Sequence, residues 1–133
     1  MKEYSDNYLN QLWRKAVLIL YDNKCFFCGK SINEVELECH HIVKRKTLLL
    51  RWDYRNGIPV CKWHRPGLQM SCHQYADTPA GRNEIYNRVP IVGEYFNSRL
   101  IPFKQWLVDK GITKAEFKNL MYNELKEIID KKI

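Results

Sequence analysis

All nine cysteines and histidines, side chains able to hold a metal ion or move a proton, lie between positions 25 and 73: Cys25, Cys28, Cys39, Cys61, Cys72, His40, His41, His64 and His73. No cysteine or histidine lies before or after that stretch in the 133 residues. Core cysteines and incidental histidines scatter along a chain, so this clustering marks the middle as a metal-binding region. Cys25 and Cys28, spaced Cys-x2-Cys, can occupy two corners of a tetrahedron around zinc. Cys61 is the natural third ligand, and the fourth is open. His64 would give three cysteines and one histidine, whereas Cys72 would give four cysteines with KWHRPGLQMS looped out. Such a closed site is structural, supplying folding energy that a small core lacks. The cysteine count of five is odd and fits a disulfide framework poorly. Cys39 alternates with Val35 and Leu37 and reads as a small buried apolar residue.

The segment CHHIVKRK, residues 39 to 46, points to a second chemistry. Neighbouring side chains on a strand face opposite ways, so His40 and His41 can serve one site only where the strand ends or bends. Histidine is the side chain that works near neutral pH, either as a neutral metal ligand or as a base.

These residues need elements to hold them. Leu9, Leu12, Trp13, Ala16, Val17 and Leu20 recur at helical spacing behind a cap at Ser5 or Asp6, and the helix should end near Tyr21-Asp22-Asn23. CFFCGK reads as a tight turn that uses the conformational freedom of Gly29. Val35, Leu37 and Cys39 alternate with Glu34, Glu36 and Glu38, predicting one strand; Arg55-Asn56-Gly57 signals a turn, and Ile58-Pro59-Val60 a short edge strand. A helix should open at Cys72. Beyond about residue 82 the chain reads as helices, with a capping box at Thr113-Lys114-Ala115-Glu116 and an apolar stripe of Phe117, Leu120, Met121, Leu125, Ile128 and Ile129.

Composition bounds the function. Lys plus Arg number 22 against 15 Asp plus Glu, a formal charge of +7, which favours a polyanionic partner, usually nucleic acid. The longest apolar run near the start, Ala16 to Leu20, is too short to span a bilayer and lies too deep for a signal sequence. An intracellular, cytoplasmic setting is therefore expected, one that favours metal-bound over disulfide-bonded cysteines.

Taken together and in order, CFFCGK, LECHHIV, RNGIPVC and SCHQY resemble the HNH endonuclease family over roughly residues 13 to 80. LLLRWDYRNG is similar to a subset of phage-type members. The resemblance implies an α+β fold, a small zinc-stabilised ββα-metal core flanked by an N-terminal helix and C-terminal helices. It would form one domain over 1–133: helix over 5–22, core over 23–80, helical extension over 81–133. The implied activity is hydrolysis of phosphodiester bonds in DNA, expected to be double-stranded, in a setting such as phage DNA processing.

The same resemblance makes His40 and His73 ligands of one catalytic cation (Mg²⁺, Mn²⁺, Ni²⁺ or Zn²⁺) and His41 the general base. Asn56 would hold the loop and orient that base. Structural Zn²⁺ would sit on Cys25, Cys28, Cys61 and Cys72, with His64 the alternative fourth ligand. The sequence departs from the family here: Cys72-His73 follows only after about eight inserted residues. Lys44, Arg45, Lys46, Arg51 and Arg55 suit phosphate contacts, which give affinity without sequence choice. The alternative reading is a non-catalytic zinc-stabilised DNA-binding or assembly module, which would need none of His40, His41, Asn56 and His73.

Overall fold

A computed structural model describes residues 3–44, 47–63, 67, 69–89 and 101–131. Helix α1 runs Asp6–Leu20, and its Ser5 cap accepts the Tyr8 N–H at 3.2 Å. It buries Leu9, Trp13, Ala16 and Val17 on one stripe. The chain then reverses through Asp22 and Asn23, both at positive φ (54° and 57°). Gly29, at φ +76°, closes the Cys25–Cys28 knuckle, where its N–H reaches the Cys25 carbonyl at 3.0 Å.

Strands β1 (Leu37–His41) and β2 (Gly57–Cys61) pair antiparallel, with Leu37 opposite Cys61, His40 opposite Ile58 and His41 opposite Gly57. Strand β1 begins two residues after Val35, where the alternation was expected to start. The Val35 N–H instead donates to the Ser31 carbonyl at 3.0 Å and closes a turn. Pro59 lacks a donor but its carbonyl accepts the Phe26 N–H at 2.8 Å, tying the knuckle to the outer side of β2. Two short 3₁₀ turns, Leu48–Leu50 and Tyr54–Asn56, lie in the connection between the strands.

Helix α2 (Cys72–Tyr75) opens on a capping box in which Ser71 and Gln74 bond each other's backbone N–H. Helix α3 (Pro79–Arg88) follows at once, so it straddles the boundary expected after residue 80. Helix α4 covers Phe103–Lys110 and helix α5 covers Lys114–Lys131. The Thr113–Glu116 capping box is present, with both reciprocal bonds at 3.1 Å. The described residues thus form five helices and one two-stranded sheet, an α+β arrangement. No helix among them is long and apolar enough to cross a membrane.

Helix α5 packs on α1, where Phe117, Leu125 and Ile129 meet Leu9, Trp13, Val17 and Trp52. The expected stripe needs one correction. Leu120 is 49% exposed, while Lys118 is only 3% exposed. The Lys118 ammonium is buried because it is fully engaged, by Asp6 at 2.7 Å, the Tyr4 carbonyl at 3.0 Å and Glu3 at 3.4 Å.

Two expected outcomes test this packing. A Cβ at Gly57 would stand 2.5 Å from Trp13 Cζ2 and 2.7 Å from Val17 Cγ2, so Gly57→Ala must push β2 off α1. We expect a stability loss of about 1–3 kcal/mol by urea unfolding, the range for overpacking; an unchanged midpoint would contradict the contact. Separately, the hydrogen bond from Lys118 holds the Asp6 carboxyl below its ordinary value of 3.8. A depressed folded value means that the pair's contribution is present above the unfolded value and lost as pH falls through the folded one. Melting temperatures of the parent and Asp6→Asn should therefore differ near neutral pH and converge on acidification below 3.8. A constant gap would contradict the ion pair.

Candidate metal centre and histidine cleft

Three elements bring four sulfurs together. The knuckle supplies Cys25 and Cys28, the end of β2 supplies Cys61, and the first residue of α2 supplies Cys72. All four Sγ atoms lie within 4.8 Å of one another, and Cys28 and Cys61 approach to 3.5 Å. Zinc–sulfur bonds of about 2.3 Å set the edges of a tetrahedron at about 3.8 Å, so this spacing fits a zinc ion. All five cysteines are free thiols.

The electrostatics argue the same way. Burial opposes ionisation of Cys25, but N–H groups of Cys28, Phe27 and Cys61 overcome it and leave the thiol below its ordinary value. Burial and its neighbours push Cys61 up to about 11 and Cys72 higher still. Thiols this crowded cannot all ionise against each other, and a divalent cation among them removes that obstacle. Cys39 stands apart: its Sγ points to the Arg14 carbonyl at 3.6 Å, and burial pushes its thiol up to about 12. It packs against apolar neighbours, but is only partly buried where full burial was expected. His64, the alternative fourth ligand, lies outside the described residues.

The paired histidines leave β1 in different directions. The His41 ring stacks on Trp13, with centroids 3.9 Å apart and planes within 6°. Its Nε2 lies 2.9 Å from the Arg51 carbonyl oxygen. A carbonyl only accepts, so Nε2 carries the hydrogen and Nδ1 is the basic nitrogen of the neutral ring. His40 instead lines a cavity of about 200 Å³ between the hairpin, the Ala76-Asp77 turn that follows α2, and helix α3. Burial, above all, holds its imidazole below the ordinary 6.5, and Lys44, His73 and Arg82 add to that against the opposing pull of Asp77. His40 is thus neutral near pH 7, the form that binds metal.

His73 follows Cys72 directly, so the sulfur cluster fixes its backbone. Its ring centre is 6.5 Å from that of His40. With nitrogen–metal bonds of about 2.1 Å, two imidazoles on one tetrahedral ion have centres about 5.3 Å apart, so the two rings would have to close by about an ångström to share a cation. His73 Nε2 meets Glu38 at 3.1 Å, which leaves Nδ1 to act as a ligand. Glu38 is in turn held by Lys62 at 2.9 Å, which keeps its carboxyl below the usual range. Sequence reasoning overlooked Asp77. It stands one helical turn after His73 and lines the cavity with His40, and the four-residue spacing was the available signal. Lys44 lies 3.6 Å from it.

Asn56 is completely buried. Its side chain accepts the Val43 N–H at 2.7 Å and donates to the Val43 and Leu50 carbonyls, both at 3.0 Å. It therefore laces the connection that leaves β1 to the turn that carries Arg51. The cationic residues are less uniform than their sequence suggests. Arg51 has a side chain only 16% exposed and sits 3.6 Å from Asp6. Arg55 forks onto Asp53 at 2.8 and 3.0 Å, which also accounts for that aspartate. Lys44 faces the cavity, while Arg45 and Lys46 lie outside the described residues.

No family model, curated protein or solved structure matches this chain. The sulfur geometry yields its own test. Cys72→Ser should lose tightly bound zinc and unfold the hairpin, whereas His64→Ala should retain one zinc per chain, both read by native mass spectrometry. The reverse pattern would place His64 in the site.

Proposed function

We propose that this chain is a metal-dependent endonuclease of the HNH type, hydrolysing phosphodiester bonds in DNA. The observation that carries the reading is the His41 ring. It is clamped flat against Trp13 and hydrogen-bonded through Nε2 to the Arg51 carbonyl, so its basic Nδ1 is fixed in tautomer and orientation. Water attacks phosphorus as His41 Nδ1 removes its proton; the bond to the 3′ oxygen breaks, and that oxygen takes a proton from solvent, leaving a 5′-phosphate and a 3′-hydroxyl. His40 and His73, with Asp77 beside them, would hold the catalytic cation, and the donor set of two imidazoles and a carboxylate fits Mn²⁺, Ni²⁺ or Zn²⁺. That cation would stabilise negative charge developing on the departing oxygen. Asn56 keeps the loop, and through it the Arg51 carbonyl, in place behind the base.

One observation favours the rival reading of a non-catalytic zinc-stabilised DNA-binding or assembly module. Among the described residues, the four cysteines are the only ready-made cluster of three or more metal-binding groups. Supercoiled plasmid incubated with Mg²⁺, Mn²⁺, Ni²⁺ or Zn²⁺ separates the two. We expect nicking by the parent and a loss of at least about 10²-fold in His41→Ala, with DNA affinity and zinc content retained. Cutting by His41→Ala at the parent rate would remove the histidine from the mechanism, and no cutting under any cation would leave the binding module.

A further inference from the structure

Helix α3 was expected only to extend the fold, yet it forms one wall of the His40 cavity. Arg82 reaches that wall from the first half of α3, facing His40, Lys44 and Asp77. Among the described residues the exposed Arg82 guanidinium has no hydrogen-bond or ion-pair partner, while its backbone N–H donates to the Thr78 carbonyl at 2.9 Å. The next arginine on the same helix contrasts with it: Arg88 meets Glu84 at 3.0 Å and covers the Phe26 ring at 3.8 Å. The one carboxylate among the described residues that line the cavity, Asp77, is met by Lys44 at 3.6 Å. With Asp77 met by Lys44, an exposed guanidinium that has no carboxylate partner of its own, beside one imidazole and one ammonium, leaves this cavity with positive charge to spare for an anion. A planar fork of donors matches the two non-bridging oxygens of a phosphate.

We infer that Arg82 binds the phosphodiester of a DNA strand laid across this cavity, holding the non-bridging oxygens of the group to be cut. This rests on the nuclease reading for its catalytic part, but the phosphate contact stands or falls by itself. Arg82 would then be a catalytic residue that touches substrate from α3, while Lys44 approaches from the hairpin side. Because the contact is to backbone, it sets where a strand lies and not which sequence is chosen.

The test uses the full chain with its zinc retained and exchangeable cations removed by brief chelation. Affinity for a short fluorescent DNA duplex is measured against salt for the parent, Arg82→Ala, Arg82→Lys and Arg88→Ala. Loss of one phosphate contact should make the slope of log affinity against log salt shallower by about 0.9 in Arg82→Ala. Arg82→Lys keeps the charge and should keep the slope, and Arg88→Ala should match the parent. With cation restored, Arg82→Ala should cut at least about tenfold more slowly, the loss expected of one hydrogen bond to a charged group. A parental slope in Arg82→Ala, or an equal change in Arg88→Ala, would overturn the inference. If the parent cuts nothing, the nuclease reading fails, but the slopes still decide the role of Arg82. A slope change on single-stranded RNA without one on duplex DNA would also overturn it.

Discussion

The gathering of four sulfurs into one small volume is the constraint on which this structure depends. It joins segments that local interactions would not bring together: a turn, the end of a strand and the start of a four-residue helix. A helix that short has negligible stability of its own, and a two-stranded hairpin is marginal in water. Metal bound by four thiolates would convert both into fixed elements, because ligation free energy is folding free energy. The register then transmits that fixity. Cys61 pairs with Leu37, so the clamp grips one end of the hairpin, and the histidines occupy the other. His73 is held still more directly, one residue from Cys72.

The His41 ring is held from a different side. Trp13 of α1 covers the His41 ring and donates its own N–H to the Asp53 carbonyl at 2.9 Å. Arg51 offers its carbonyl to His41 and its guanidinium to Asp6, and Asp6 is the partner of buried Lys118 on α5. An unbroken series of contacts therefore runs from the C-terminal helix to the nitrogen that orients the ring. The flanking helices are part of how the site is positioned, and the sulfur cluster governs only its other half.

Much of this was legible in the chain because it is local. The Ser5 cap, the Thr113–Glu116 box, the Gly29 knuckle and the Cys-x2-Cys pair are all signalled within a few residues. What was not legible depends on distant partners. Lys118 is buried because Asp6 and Tyr4 lie beside it in space, and no helical periodicity announces that. Arg51 and Arg55 read as unpaired cations until their carboxylate partners are seen. Asp77 and Arg82 become interesting only when the turn after α2 folds α3 back over His40. That return depends on Gly81, where any Cβ would stand 1.9 Å from the Tyr75 carbonyl oxygen.

The central claim is that four thiolates, and no histidine, close the metal site that builds the hairpin. Zinc-edge X-ray absorption on the purified chain tests it most directly. The account predicts a shell of four sulfurs at about 2.3 Å and no lighter ligand. A shell of three sulfurs and one nitrogen at about 2.0–2.1 Å would contradict it.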